Sequence, residues 1–132
     1  MHPIIKRDDL VYPELSYKIT GILFEVFNEL GPGLQEKSYQ KAIALLLNEN
    51  NLKFKEQVYV PLKFKGEKVG CLYLDFLIED KIILEIKKGD FFRKTNIKQI
   101  YEYLVATDLS LGIIANFTSG GVRTKRILNI YN

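Results

Sequence analysis

Apolar residues recur at helical spacing from Glu14 to Leu30, through Leu15, Ile19, Ile22, Leu23, Val26, Phe27 and Leu30, which predicts an amphipathic helix. Gly31-Pro32-Gly33 stops it. A second helix is predicted from about Leu34 to Asn50, with Ala42, Ile43, Leu46 and Leu47 as its buried stripe. The period then changes. Val58 and Val60 alternate with polar or aromatic neighbours up to Pro61, and Lys65-Gly66-Glu67 reads as a turn into a second strand, Val69 to Ile78. A third strand, Ile82 to Lys87, follows at once. Helical spacing returns from Thr95 to Ala106 through Ile97, Ile100, Tyr101 and Leu104; Leu111 to Phe117 is a short apolar strand, and Val122 to Ile130 is expected to close the chain as a short basic helix. This order predicts an α/β (α+β) fold, a small sheet covered by helices. No linker, repeat or low-complexity segment interrupts residues 1–132, which read as a single domain.

Composition narrows the chemistry. With 132 residues and 47% apolar side chains, the chain can bury a core without disulfides or a structural metal, and Cys71 alone supplies neither framework. No apolar run approaches the length of a membrane span, and the first ten residues lack the apolar core of a signal peptide. A cytoplasmic protein with no membrane partner is expected. The single histidine, His2, lies near the N-terminus, so histidine-based triads, a histidine-ligated zinc site and a histidine general base are all disfavoured. Hydrolytic chemistry here must run on carboxylates and lysine, with or without a bound metal.

Charge is unevenly placed. Residues 1–50 carry five Lys/Arg against seven Asp/Glu, net −2, whereas residues 51–132 carry fourteen against nine, net +5. Six basic residues and two acids lie between Lys81 and Lys98, and Arg123, Lys125 and Arg126 form a second cluster.

The stretch from Tyr73 to Lys87 places Asp75, Glu85 and Lys87 in strands that otherwise read as buried, where charge is costly unless paired or metal-bound. Strand alternation puts Glu85 and Lys87 on one face. In an antiparallel hairpin, opposed residues have a constant index sum. A three-residue loop Glu79-Asp80-Lys81 sets Ile78 against Ile82 and therefore Asp75 across from Glu85, whereas a two-residue loop would put them on opposite faces. The first register is predicted. Two carboxylates side by side repel, and a hard divalent cation between them relieves that. Lys87 then points at the same spot, able to orient water and neutralise charge developing on a phosphate. Read from these residues alone, a hairpin ion-pair network is an equal alternative. Glu36 and Tyr39 share one face of the second helix, and Gln99 and Tyr103 one face of the third. For these, first-turn helix charge and core packing are the simpler readings.

Gly33-Leu-Gln-Glu36-Lys-Ser-Tyr39 spells GxxExxY, and with the preceding Glu25-Val-Phe-Asn-Glu-Leu-Gly31 it resembles the small GxxExxY family, which is placed in the PD-(D/E)XK nuclease superfamily. The similarity runs from Leu15 through Asp75, Glu85-Ile86-Lys87 and Gln99-Ile-Tyr-Glu-Tyr103 to Phe117. It implies a restriction-endonuclease-like core, a mixed sheet flanked by helices. It also implies that Asp75 and Glu85 bind Mg²⁺ or Mn²⁺, with the Ile86 carbonyl as a further ligand, Glu36 completing the metal site and Lys87 as the catalytic lysine. Gln99 and Tyr103 match the QxxxY element that contacts the nucleic-acid strand in exonuclease-like relatives. One departure is visible: Phe27 stands where family members often carry histidine.

The leading expectation is a metal-dependent nuclease whose Lys88, Arg93, Lys94 and Lys98 contact backbone phosphates, with DNA preferred to RNA as partner. A homodimer or a protein partner is compatible with so short a chain. The alternative is a non-catalytic nucleic-acid-binding or regulatory module on a nuclease-like fold; a plain interaction domain is the third reading.

Overall fold

The computed structural model describes residues 11–130, so His2 lies outside the described residues. Helix α1 spans Pro13–Leu30 and α2 spans Glu36–Glu49; then come strands β1 Phe54–Phe64, β2 Glu67–Ile78 and β3 Ile82–Lys88, helix α3 Lys94–Thr107, and strands β4 Leu111–Phe117 and β5 Val122–Leu128. The strands form one sheet in sequence order. Neighbours are antiparallel except β3 and β4, which run parallel because α3 carries the chain back to the sheet's starting end. The sheet is therefore mixed and flanked by helices, as expected.

The sheet separates two apolar clusters. On one side Ile19, Leu23 and Val26 of α1 and Tyr39, Ile43 and Leu47 of α2 pack against Phe76, Ile78, Ile82, Leu84 and Ile86. On the other, Ile100, Tyr103 and Leu104 of α3 pack against Val60, Leu74, Ile83, Ile114 and Ile127. β4 is buried at every position, so both its edges must be paired.

That requirement explains the main correction. Val122–Ile130 is not a helix: Val122–Leu128 forms the edge strand β5, pairing with β4 from Phe117↔Val122 to Leu111↔Leu128. Helical spacing of a few apolar residues cannot compete with the open edge of a buried strand. Alternation also sorts the basic cluster, because Arg126 faces α1, donating to Ser16 Oγ at 2.7 Å and to the Val11 carbonyl at 2.8 Å. Tyr101 is a second correction. It is 47% exposed, and Tyr103 occupies the buried face instead. Close approach of α3 to the sheet depends on Gly112, where an added Cβ would lie 2.5 Å from Ile100 Cγ2. No described helix is long and apolar enough to cross a membrane.

Candidate active site

The β2–β3 hairpin adopts the register that joins the carboxylates: Ile78↔Ile82, Leu77↔Ile83 and Phe76↔Leu84. Beyond that last pair the backbone ladder stops, and the side chains of Asp75 and Glu85 continue it. Asp75 N–H donates to Glu85 Oε1 at 2.7 Å, and Ile86 N–H donates to Asp75 Oδ2 at 2.8 Å. Each carboxylate thus accepts from the opposite strand, which fixes the pair at the fork of the hairpin.

β1 also loses its pairing here. Glu56↔Phe76 and Val58↔Leu74 are paired, but Gln57, opposite Asp75, is not, and its backbone is left-handed at φ 49°. Leu74 and Phe76 accordingly point into different cores despite their even spacing. Gln57 weakly lowers the Asp75 carboxyl, well behind burial and the Ile86 amide. Sequence reasoning missed Gln57. A bulge between Leu62 and Lys63 shifts the β1–β2 register by one, so counting back from the turn would have put Glu56 opposite Asp75.

Burial and mutual repulsion shape the electrostatics. Glu85 is 3% exposed, and its carboxyl is pushed up to about 8, by desolvation first and by Asp75 second. Asp75 is also raised, chiefly by burial, while the Ile86 amide and Lys87 pull it down. Lys87 Nζ stands 3.8 Å from Glu85 Oε2, on the shared face. The pair thus holds a proton near neutral pH, with Lys87 as the cation beside it among the described residues.

Glu36 opens α2 and is close enough to raise Asp75 electrostatically. Among the described residues no three acidic, Cys or His side chains converge on one metal position, so Glu36 stands back from the pair. Its placement is set by its motif neighbours. Gly33 takes φ 90° in the turn, and the fully buried Tyr39 donates its hydroxyl to the Gly31 carbonyl at 2.7 Å and accepts from Leu34 N–H at 3.2 Å. Tyr39 also stacks on Phe117 with centroids 4.0 Å apart, and Phe27 lies 6.4 Å from the same ring. Tyr39 is thus structural, and Phe27 fills the aromatic cluster behind the motif.

Tyr103 donates its hydroxyl to the Tyr73 carbonyl at 3.0 Å, tying α3 to β2 two residues before Asp75. Burial, then Glu85 and Asp75, raise it above the ordinary phenol range. Gln99 is half-buried one turn earlier. Lys88, Arg93, Lys94 and Lys98 are all exposed, but Lys88 alternates to the face opposite Lys87.

A family model described as the PD-(D/E)XK nuclease superfamily matches residues 13–127. No curated protein matches the chain. Among solved structures, SSO0001 is similar with a TM-score of 0.56 and 16% identity, over 98% of this chain and 72% of its own. An alkaline exonuclease (LHK-Exo) from Laribacter hongkongensis gives 0.49 and 12%, over 86% and 82%. At these identities the structural likeness concerns the fold.

Proposed function

Because the chain belongs to the PD-(D/E)XK nuclease superfamily, we propose that it is a metal-dependent nuclease in which Asp75 and Glu85 hold a divalent cation and Lys87 assists attack of water on a phosphodiester. One observation carries this reading: the two carboxylates are locked together by each other's backbone amides, in surroundings that make their joint ionisation costly. An ion pair alone does not explain it, because one lysine faces two acids.

The donor set suits Mg²⁺ or Mn²⁺, being oxygen only. Asp75 and Glu85 would hold the ion, each with a second oxygen free of backbone donors, joined by the Ile86 carbonyl, with Glu36 standing further back and adding negative charge toward Asp75. When bound, the cation would supply Lewis acidity toward the phosphoryl oxygen and toward water. Lys87 Nζ stands beside Glu85 and offers positive charge and a hydrogen-bond donor where charge builds on phosphate. Gln57, in the unpaired position of β1 across from Asp75, would favour its ionised carboxylate. Tyr103, kept protonated, spends its O–H on the Tyr73 carbonyl and so braces α3 against β2 beside the site, and Gln99 faces the strand of substrate. Arg93, Lys94 and Lys98 draw backbone phosphates toward it. The finer placement in the GxxExxY family rests on the Gly33, Glu36 and Tyr39 spacing.

The test is cleavage of labelled single- and double-stranded DNA and RNA with Mg²⁺ or Mn²⁺. Cleavage lost both in EDTA and in Lys87→Ala supports the reading; nucleic-acid binding without cleavage replaces it with the non-catalytic module.

A further inference from the structure

One face of the sheet continues past the carboxylates. Lys87 pairs with Asn116 on β4, and Asn116 with Arg123 on β5. These three positions share a face with Ile83, Ile114 and Ile127, the side that α3 covers further along the strands. At about 4.8 Å per strand, Arg123 lies about 10 Å from Lys87, Cα to Cα. Beyond it opens a cavity of about 440 Å³, lined by Asp90, Phe91, Arg123 and the Thr118–Gly121 turn.

Phe91 is the unusual member. Its ring is 82% exposed, whereas the adjacent Phe92 packs into the core with α3. Yet its backbone is fastened. Buried Asn116 donates from Nδ2 to the Phe91 carbonyl at 2.9 Å, and Asp90 Oδ1 accepts from Ser119 N–H at 3.2 Å and Ser119 Oγ at 3.4 Å. The turn is closed in its own right, with Thr118 Oγ1 donating to the Gly121 carbonyl at 2.7 Å. A held backbone thus offers an unpacked aromatic ring to a polar cavity, with its face free to stack.

We propose that this cavity is a nucleotide subsite for single-stranded nucleic acid, in which an unpaired base stacks on Phe91 and the adjoining phosphate meets Arg123. It deepens the nuclease reading and rests on that reading's nucleic-acid substrate. A paired base hides its faces in the duplex, so Phe91 selects an unpaired strand, and stacking on an aromatic tolerates any base. Asp90 Oδ1 is turned to its two Ser119 donors, and the row from Lys87 to Arg123 gives the strand a path from the reacting centre to the sheet edge.

The experiment measures binding of the full chain to a fluorescent single-stranded oligothymidine and to its duplex in EDTA, where cleavage is off, alongside 2-aminopurine fluorescence in the single strand. Phe91→Ala should weaken single-strand binding about 5- to 100-fold, leave duplex binding unchanged and relieve 2-aminopurine quenching. Phe91→Trp should restore all three. Arg123→Ala should weaken binding and lower the salt slope by about one phosphate contact. Wild-type affinity in Phe91→Ala, or no single-strand binding by the wild type, overturns the subsite. If duplex is still cleaved then, the nuclease reading stands. Phe91-dependent binding without cleavage of any substrate would keep the subsite and sink the nuclease.

Discussion

Glu85→Gln should stabilise the metal-free protein at neutral pH while removing its activity. The Glu85 carboxyl moves from 4.5 to about 8 on folding, so the native state binds this proton more tightly than the unfolded chain. Its contribution is complete below about pH 4.5 and is lost as pH rises toward 8. At pH 7 the loss spans about 2.5 units, which at 1.36 kcal/mol each is about 3 kcal/mol. Glutamine removes this dependence without removing the contacts. Its Oε1 can accept from Asp75 N–H as the carboxylate does, and its amide can donate to Asp75 in place of the retained proton. In a chain of this size 3 kcal/mol corresponds to roughly 10 °C in Tm. Thermal and urea unfolding in EDTA at pH 5 and pH 8 test it. The wild type should weaken between the two relative to Glu85→Gln, and Mg²⁺ should restore the wild type more at pH 8 than at pH 5, since cation and proton compete for the same oxygens. Parallel pH profiles for the two proteins would refute the reasoning.

Lys87→Met should lower cleavage by about 10²–10⁴-fold while nucleic-acid affinity in EDTA changes little, measured by single-turnover kinetics and anisotropy. Tyr39→Phe keeps the stack on Phe117 but leaves the Gly31 carbonyl and Leu34 N–H unpartnered, a loss of about 1–3 kcal/mol by urea titration, with a further fall in cleavage as Glu36 loses its anchored turn. Gly112→Ala forces Ile100 away from β4 and should cost about 1–3 kcal/mol; pairing it with Ile100→Val should recover part of that. Gln57→Leu should weaken Mn²⁺ binding up to about 10-fold by calorimetry, with little change in Tm, because Gln57 is exposed and favours the ionised Asp75 carboxyl.

The parts of the fold legible in the sequence were those set by local rules. Gly31-Pro32-Gly33 marked a real helix end, and the Glu79-Asp80-Lys81 loop fixed the register that joins Asp75 to Glu85. What escaped was set by distant partners. β5 is a strand because β4 needs a second edge, which no pattern within Val122–Leu128 encodes. Gln57 reaches Asp75 through a bulge five residues away, and without it Glu56 would have added a third acid to the pair. Tyr39 bears a motif position, yet its contacts are those of a buried strut; Glu36 is the part of the motif whose charge is felt at Asp75.

The fork of the β2–β3 hairpin also makes the protein its own indicator. Two backbone amides, Asp75 and Ile86, have carboxylates where a strand would normally supply carbonyls. Any cation that draws on those oxygens changes the acceptors of just these two N–H groups. Their ¹⁵N–¹H resonances should therefore move together on titration with Mg²⁺, while the amides of the continuous β3–β4 ladder beside them stay still, reporting occupancy of the site without substrate or turnover.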